Sequence, residues 1–183
     1  MAADKICLIA MDVDGVLTDG GIIIGTDGFE AKRFNARDGL GINILIKLGY
    51  QVVWVTGRRS DIVERRAAEL NISHVIQGVT NKVQAVEELL VKLDLGWENV
   101  MYIGDDLNDL ALLRKVALAC AVHDACREVK LQADYIAKAA GGAGAVREII
   151  EMFLKHAKRW PEALALYSNP DCYCQMSSKG DVQ

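Results

Sequence analysis

Short apolar runs alternate with amphipathic stretches along most of the chain, the pattern of strands each followed by a helix that packs back onto a parallel sheet. Strands are expected at residues 6–11, 51–56, 74–76, 100–104, 116–121 and 135–137. The helices between them are punctuated in keeping with this. Asp38 can cap a helix running to about Leu48 and closed by Gly49, and Ser60 can cap one ending at Leu70. Asn81 with Gln84 three residues later resembles a capping box for a helix over 82–95. A further helix over 145–158 follows the glycine-rich GGAG, and Trp160-Pro161 with ALALY can dock a last one. The expected fold is α/β, a doubly wound, Rossmann-like parallel sheet.

One segment breaks the alternation. Residues 20–39 carry three consecutive isoleucines and then Gly-Thr-Asp-Gly, which reads as a β-hairpin flap over about 18–36 turning at Thr26 to Gly28. It leaves directly after the acidic end of the first strand, so it can cover a site, join subunits, or do both.

With 183 residues, 51% of them hydrophobic, there is enough chain for one sizeable core. A single domain is expected over 1–167, with a polar, disordered tail at 168–183. No apolar run approaches the roughly 20 residues of a membrane span, and no signal-like stretch opens the sequence, so no membrane partner and a cytoplasmic location are expected. The formal net charge of -4 and the lack of a basic run argue against nucleic acid as a partner. Cys7, Cys120 and Cys126 read as buried thiols, and the tail pair Cys172 and Cys174 lacks the partners of a zinc site. His74, His123 and His156 show no catalytic pattern.

The candidate chemistry lies at strand ends, where open α/β sheets bind ligands. DVDGVLTD places Asp12 and Asp14 two residues apart at a turn opened by Gly15, so one carboxylate can face a substrate while the other handles protons. Thr56 and Gly57 end the second strand, and Arg58 and Arg59 add fork-shaped donors suited to a phosphate or carboxylate. Lys82 stands at a helix N-terminus, where its charge and the helix dipole both attract anions. YIGDDLND brings Asp105, Asp106 and Asp109 past the fourth strand. So many carboxylates together repel one another, which implies a hard divalent cation, Mg²⁺ first.

This ordered set, DVDGVLTD, Thr56, Lys82 and GDDLND, resembles the haloacid dehalogenase superfamily phosphatases. The resemblance implies Asp12 as nucleophile and Asp14 as general acid/base. It also implies Mg²⁺ on Asp12, Asp105 and the Asp14 backbone carbonyl, with Thr56 and Lys82 holding the transferring phosphoryl group. Asp106 or Asp109 would support the metal, through water or Lys82. Asp12 and Thr56 lie 44 positions apart and Lys82 and Asp105 lie 23 apart. Neither gap can hold a cap domain of about 50 residues, so the expected enzyme is capless.

Within that group the chain resembles the 3-deoxy-D-manno-octulosonate 8-phosphate phosphatase family over residues 5–157, through the hairpin with FNARDG, TGRRS, QGVTNK, ADYI and GGAGAVRE. The resemblance implies a phosphorylated sugar-acid substrate, a role in lipopolysaccharide synthesis, and a homotetramer built from the hairpins. Arg37, Asp38, Arg58 and residues 141–144 become candidates for substrate or intersubunit contacts. The family often has an arginine where this chain has Ala143. Phosphatases of nine-carbon keto-deoxy sugar acid 9-phosphates share much of this pattern and stay open as an alternative, as does a non-catalytic scaffold on the same fold.

Overall fold

A computed structural model describes residues 3–168. The expectation of a tail at 168–183 therefore falls, apart from Ser168, outside the described residues, as do Cys172 and Cys174. The sheet has six parallel strands in the order β5-β4-β1-β6-β7-β8. These are β1 (Leu8–Met11), β4 (Gln51–Thr56), β5 (His74–Gln77), β6 (Val100–Gly104), β7 (Leu118–Ala121) and β8 (Tyr135–Ile136). Two further short strands, β2 (Ile23–Ile24) and β3 (Glu30–Ala31), form the antiparallel hairpin.

The chain starts at β1, steps outward to β4 and β5, and then crosses back to β6 on the other side of β1. Right-handed crossovers place the helices before and after that reversal on opposite faces and open a crevice at the carboxyl end of β1. Strands β1, β6 and β7 are wholly buried, and β4 is buried after Gln51. They therefore read as continuous apolar runs, as strands covered on both faces do. One helical group packs α1 (Ala36–Lys47) on α6 (Ala145–His156) and α6 on α7 (Trp160–Ser168). The other packs α3 (Lys82–Leu93) on the short α4 (Leu110–Leu113) and α4 on α5 (Arg127–Gln132). Helix α2 (Asp61–Glu69) follows β4.

Most expected elements are present, and the differences have local causes. Strand β1 starts at Leu8 and β7 at Leu118, although Cys7 just before β1 still bonds to Asn99 and Gln51, and Ala117 just before β7 to Val100. The hairpin ladder joins only Ile23 with Ala31 and Ile24 with Glu30, flanked by extended chain. Asn81 caps α3 as expected by accepting from Gln84 N at 3.1 Å, but the Gln84 amide turns to Glu88 instead of completing the box.

The expectation for Asp38 is corrected. Asn35 caps α1, its side chain accepting from Arg37 N at 2.8 Å, and the helix already begins at Ala36. Asp38 is buried and accepts from Arg147 N at 2.7 Å, in the first turn of α6. The residue preceding α6 is Gly144, which has no side chain to cap with, so a carboxylate from the neighbouring helix supplies the acceptor. Asp38→Ala strands that amide and is expected to destabilise the protein by about 1–3 kcal/mol. Urea unfolding should show a lower midpoint with an unchanged slope.

Candidate active site

Asp12 follows β1 directly, and its backbone continues the ladder by donating to Ile103 O at 3.0 Å. Its side chain is fixed from two sides, with Val13 N donating to Oδ1 at 2.7 Å and Lys82 Nζ to Oδ2 at 2.5 Å. The turn after it is held by Thr18, fully buried, whose hydroxyl accepts from Gly20 N at 3.2 Å. Gly15 has φ +88°, and a Cβ on it would overlap the Asp105 carboxylate. Glycine is required there both for the backbone angle and for the close approach.

Asp12, Asp14, Gly57, Thr56, Arg58, Asp105 and Asp106 line one cleft of about 270 Å³, together with Gly15, Gly20 and Asn108. Lys82 lies beneath it, buried, between Asp12 and Asp109, whose Oδ1 it meets at 2.7 Å. Asp106 and Asp109, two candidates to support a metal, differ in their placement. Asp109 is fully buried, with Oδ1 accepting from Lys82 and from Tyr102 Oη at 2.6 Å and Oδ2 accepting from Asp105 N at 2.9 Å. Asp109 thereby ties Lys82, Tyr102 and the Asp105 backbone together. Asp106 is exposed at the cleft wall, its side chain turned to Leu107 N.

Arg37 is not brought to this cleft. It is the second residue of α1 and points outward into a separate depression beside Ala143, Gly144 and Arg147. The glycines of GGAG have a role within the chain. A Cβ at Gly141 would strike the Gly15 carbonyl, and Gly142 N donates to Val16 O at 3.0 Å. This segment thus buttresses the Asp12 turn from behind, while Ala143 remains exposed.

Several site residues escaped the sequence reading. Tyr102 offered a signal, because a phenol within the buried run VMYIG must find a hydrogen-bond partner. Lys32, Glu30 and Ser60 offered none, since they meet only when the hairpin folds over the β4–α2 loop. Lys32 Nζ donates to Asp14 Oδ1, and Ser60 Oγ donates to Glu30 Oε2 at 3.1 Å.

The charges do not balance. Oxygens of Asp12, Asp105 and Asp109 lie within 4.8 Å of one another, and among these groups only Lys82 is cationic. Burial, with the Asp109 charge opposing the help of Lys82, pushes the Asp12 carboxyl up to about 6. Burial and the neighbouring Asp109, Asp12 and Asp106 push Asp105 up to about 8. Burial works against the Lys82 ammonium, but the carboxylates of Asp12 and Asp109 more than offset it and hold its pKa above the usual lysine value. Asp105 Oδ1 is buried without a hydrogen-bond partner. An excess of hard oxygen donors with one orphaned carboxylate oxygen fits a hard divalent cation such as Mg²⁺.

Known proteins resemble this chain in both sequence and fold. Residues 68–150 match the family described as haloacid dehalogenase-like hydrolase. The 3-deoxy-D-manno-octulosonate 8-phosphate phosphatase of Escherichia coli K12 is 45% identical over 161 residues, 88% of this chain and 86% of that protein. The crystal structure of the Moraxella catarrhalis 3-deoxy-D-manno-octulosonate 8-phosphate phosphatase, in complex with magnesium, phosphate and KDO, superposes with a TM-score of 0.88. It is 42% identical and covers 91% of this chain and 96% of its own. The cobalt-bound form of the Haemophilus influenzae phosphatase gives 0.84 at 34% identity, over 95% and 99% of the two chains. The chain belongs to the 3-deoxy-D-manno-octulosonate 8-phosphate phosphatase family within the haloacid dehalogenase-like hydrolases. No helix among the described residues is long and apolar enough to cross a membrane.

Cation binding favours the ionised carboxylates, so it must expel the protons that the raised pKa values retain. Mg²⁺ affinity should therefore rise with pH between about 6 and about 8 and level off above. Titration calorimetry in buffers of different ionisation enthalpy should detect proton release that shrinks over the same interval.

Proposed function

We propose that the protein is a Mg²⁺-dependent phosphomonoester hydrolase that removes phosphate from 3-deoxy-D-manno-octulosonate 8-phosphate through an aspartyl-phosphate. The observation that carries the chemistry is the cleft wall, where the anchored Asp12 carboxylate lies two residues from Asp14 and opposite Thr56 and Arg58. The substrate follows from family membership and from the KDO in the Moraxella catarrhalis complex.

Asp12, Asp105 and the Asp14 backbone carbonyl would hold the cation, which when bound lowers the repulsion between the Asp12 carboxylate and an anionic phosphate. The carboxylate oxygen of Asp12 attacks phosphorus, the bond from phosphorus to the sugar oxygen breaks, and Asp14 gives that oxygen its proton. A water then attacks the phosphorus of the aspartyl-phosphate while Asp14 takes its proton. The acyl oxygen leaves as the restored Asp12 carboxylate, and inorganic phosphate departs. Lys82 keeps Asp12 aimed, and the Thr56 hydroxyl and Gly57 backbone hold phosphoryl oxygens. Arg58, half exposed at the rim, suits the acid group of the substrate, and the exposed Asp106 acts at the cleft edge.

Phosphate release from a panel of the eight-carbon 8-phosphate, nine-carbon 9-phosphates and simple sugar phosphates tests this reading. Strong Mg²⁺-dependent preference for the first is expected, and Asp12→Asn should abolish turnover without unfolding the protein. Preference for a nine-carbon acid would move the enzyme to that sibling substrate. Metal-dependent release from none of them would leave a scaffold.

The same proposal includes a homotetramer assembled through the hairpin. Ile22, Ile23, Ile24 and Phe29 are all more than half exposed on it, an apolar cluster that water penalises in a lone chain. Light scattering should give four chains per particle, and Ile24→Glu should shift the particle toward smaller species.

A further inference from the structure

The two carboxylates of the cleft are anchored by different parts of the molecule. Asp12 is held from the core, by Val13 N and Lys82. Asp14 receives its hydrogen bond among the described residues from Lys32, a hairpin residue 18 positions away. The Lys32 side chain is only 1% exposed, so a long flexible stem and a strongly hydrated ammonium have been ordered and buried at that carboxylate. Such ordering has a substantial entropic and desolvation cost.

The placement follows from the hairpin's pattern. Glu30 and Lys32 are two residues apart in extended chain and project to the same side, with Lys32 Nζ 3.9 Å from Glu30 Oε1. Arg33 turns outward and pairs with Asp19 at the surface. Glu30 in turn accepts from Ser60 Oγ at 3.1 Å and stands 4.0 Å from the Arg58 guanidinium. Ser60 precedes α2 without capping it, its hydroxyl being given to Glu30. Glu30 therefore latches the hairpin to the β4–α2 loop, and the latch fixes where the Lys32 ammonium sits.

We propose that Lys32, delivered by the chain's own hairpin and set by the Glu30–Ser60 latch, is a positioning residue that orients the Asp14 carboxylate for proton transfer to and from the reacting oxygens. This rests on the reading of Asp14 as the acid/base group and adds closure within one chain to any closure by a neighbour. Without Lys32, Asp14 loses its hydrogen bond and keeps only the longer contact from Arg58 Nε to Oδ2 at 3.9 Å, and proton transfer requires an oxygen held within hydrogen-bond reach of its target.

The test uses the full-length, Mg²⁺-loaded protein with the 8-phosphate substrate. Lys32→Met is expected to lower kcat about 100-fold with little change in KM, and Lys32→Arg to restore part of the loss. In an Asp14→Asn background, Lys32→Met should add no further loss, because both changes remove the same function. Light scattering should show unchanged assembly, separating this effect from disruption of the hairpin interface. Should Lys32→Met fold poorly, Glu30→Gln, which only loosens the latch, should lower kcat in the same sense. Losses that multiply in the double variant, or a raised KM at unchanged kcat, would overturn the inference and leave the acid/base role of Asp14 standing. Full turnover by Asp14→Asn would overturn that role and the inference with it.

Discussion

The Lys82 ammonium, shared by Asp12 and Asp109 beneath the cleft, is the contact on which the site depends. All three side chains are almost wholly removed from water, a position charged groups tolerate only when paired and hydrogen-bonded. Each comes from a different element: Asp12 from the end of β1, Lys82 from the start of α3, and Asp109 from the turn after β6. Their convergence requires the strand order that sets β1 beside β6, and the fully buried Tyr102 completes it by donating to Asp109. The cluster links sheet topology to chemistry, because the bond that balances the buried charge also aims the Asp12 carboxylate.

Above this cluster the construction changes. Asp12 and Asp109 belong to a rigid, well-packed floor, and Asp14 faces a hairpin whose ladder spans two residue pairs. A two-stranded hairpin is marginal by itself, and here it gains support from a polar latch at Ser60 and from the ion pair at Asp14. The exposed isoleucines on it leave an apolar surface open to solvent. The Asp12 side of the cleft is thus fixed by folding, and the Asp14 side by the docking of a lighter element.

Legibility in the sequence followed the range of the interactions. The strands of the sheet were visible because burial on both faces leaves continuous apolar runs, and Asp12, Asp14, Thr56 and Asp105 were visible because each stands at or within a few residues of the end of such a run. Asp38 shows where local reasoning fails. An acid near a helix start is a good cap for its own helix, yet it serves α6, more than a hundred residues later, because Gly144 cannot. Arg37 lies beside it in the sequence but faces a different depression, since helical rotation sends adjacent side chains in different directions.

By itself the sequence determined the alternating α/β architecture, the hairpin's position and the acidic strand ends, because hydrophobic periodicity and turn chemistry act over a few residues. Tertiary structure alone decided that Asp109 is an internal anchor and Asp106 a surface group, that GGAG buttresses the Asp12 turn, and that Lys32 reaches Asp14. Each of these depends on contacts between elements distant in the chain or on which face of a short turn is buried. Such contacts are fixed by packing and charge balance once the sheet has closed around β1, and spacing along the sequence does not encode them.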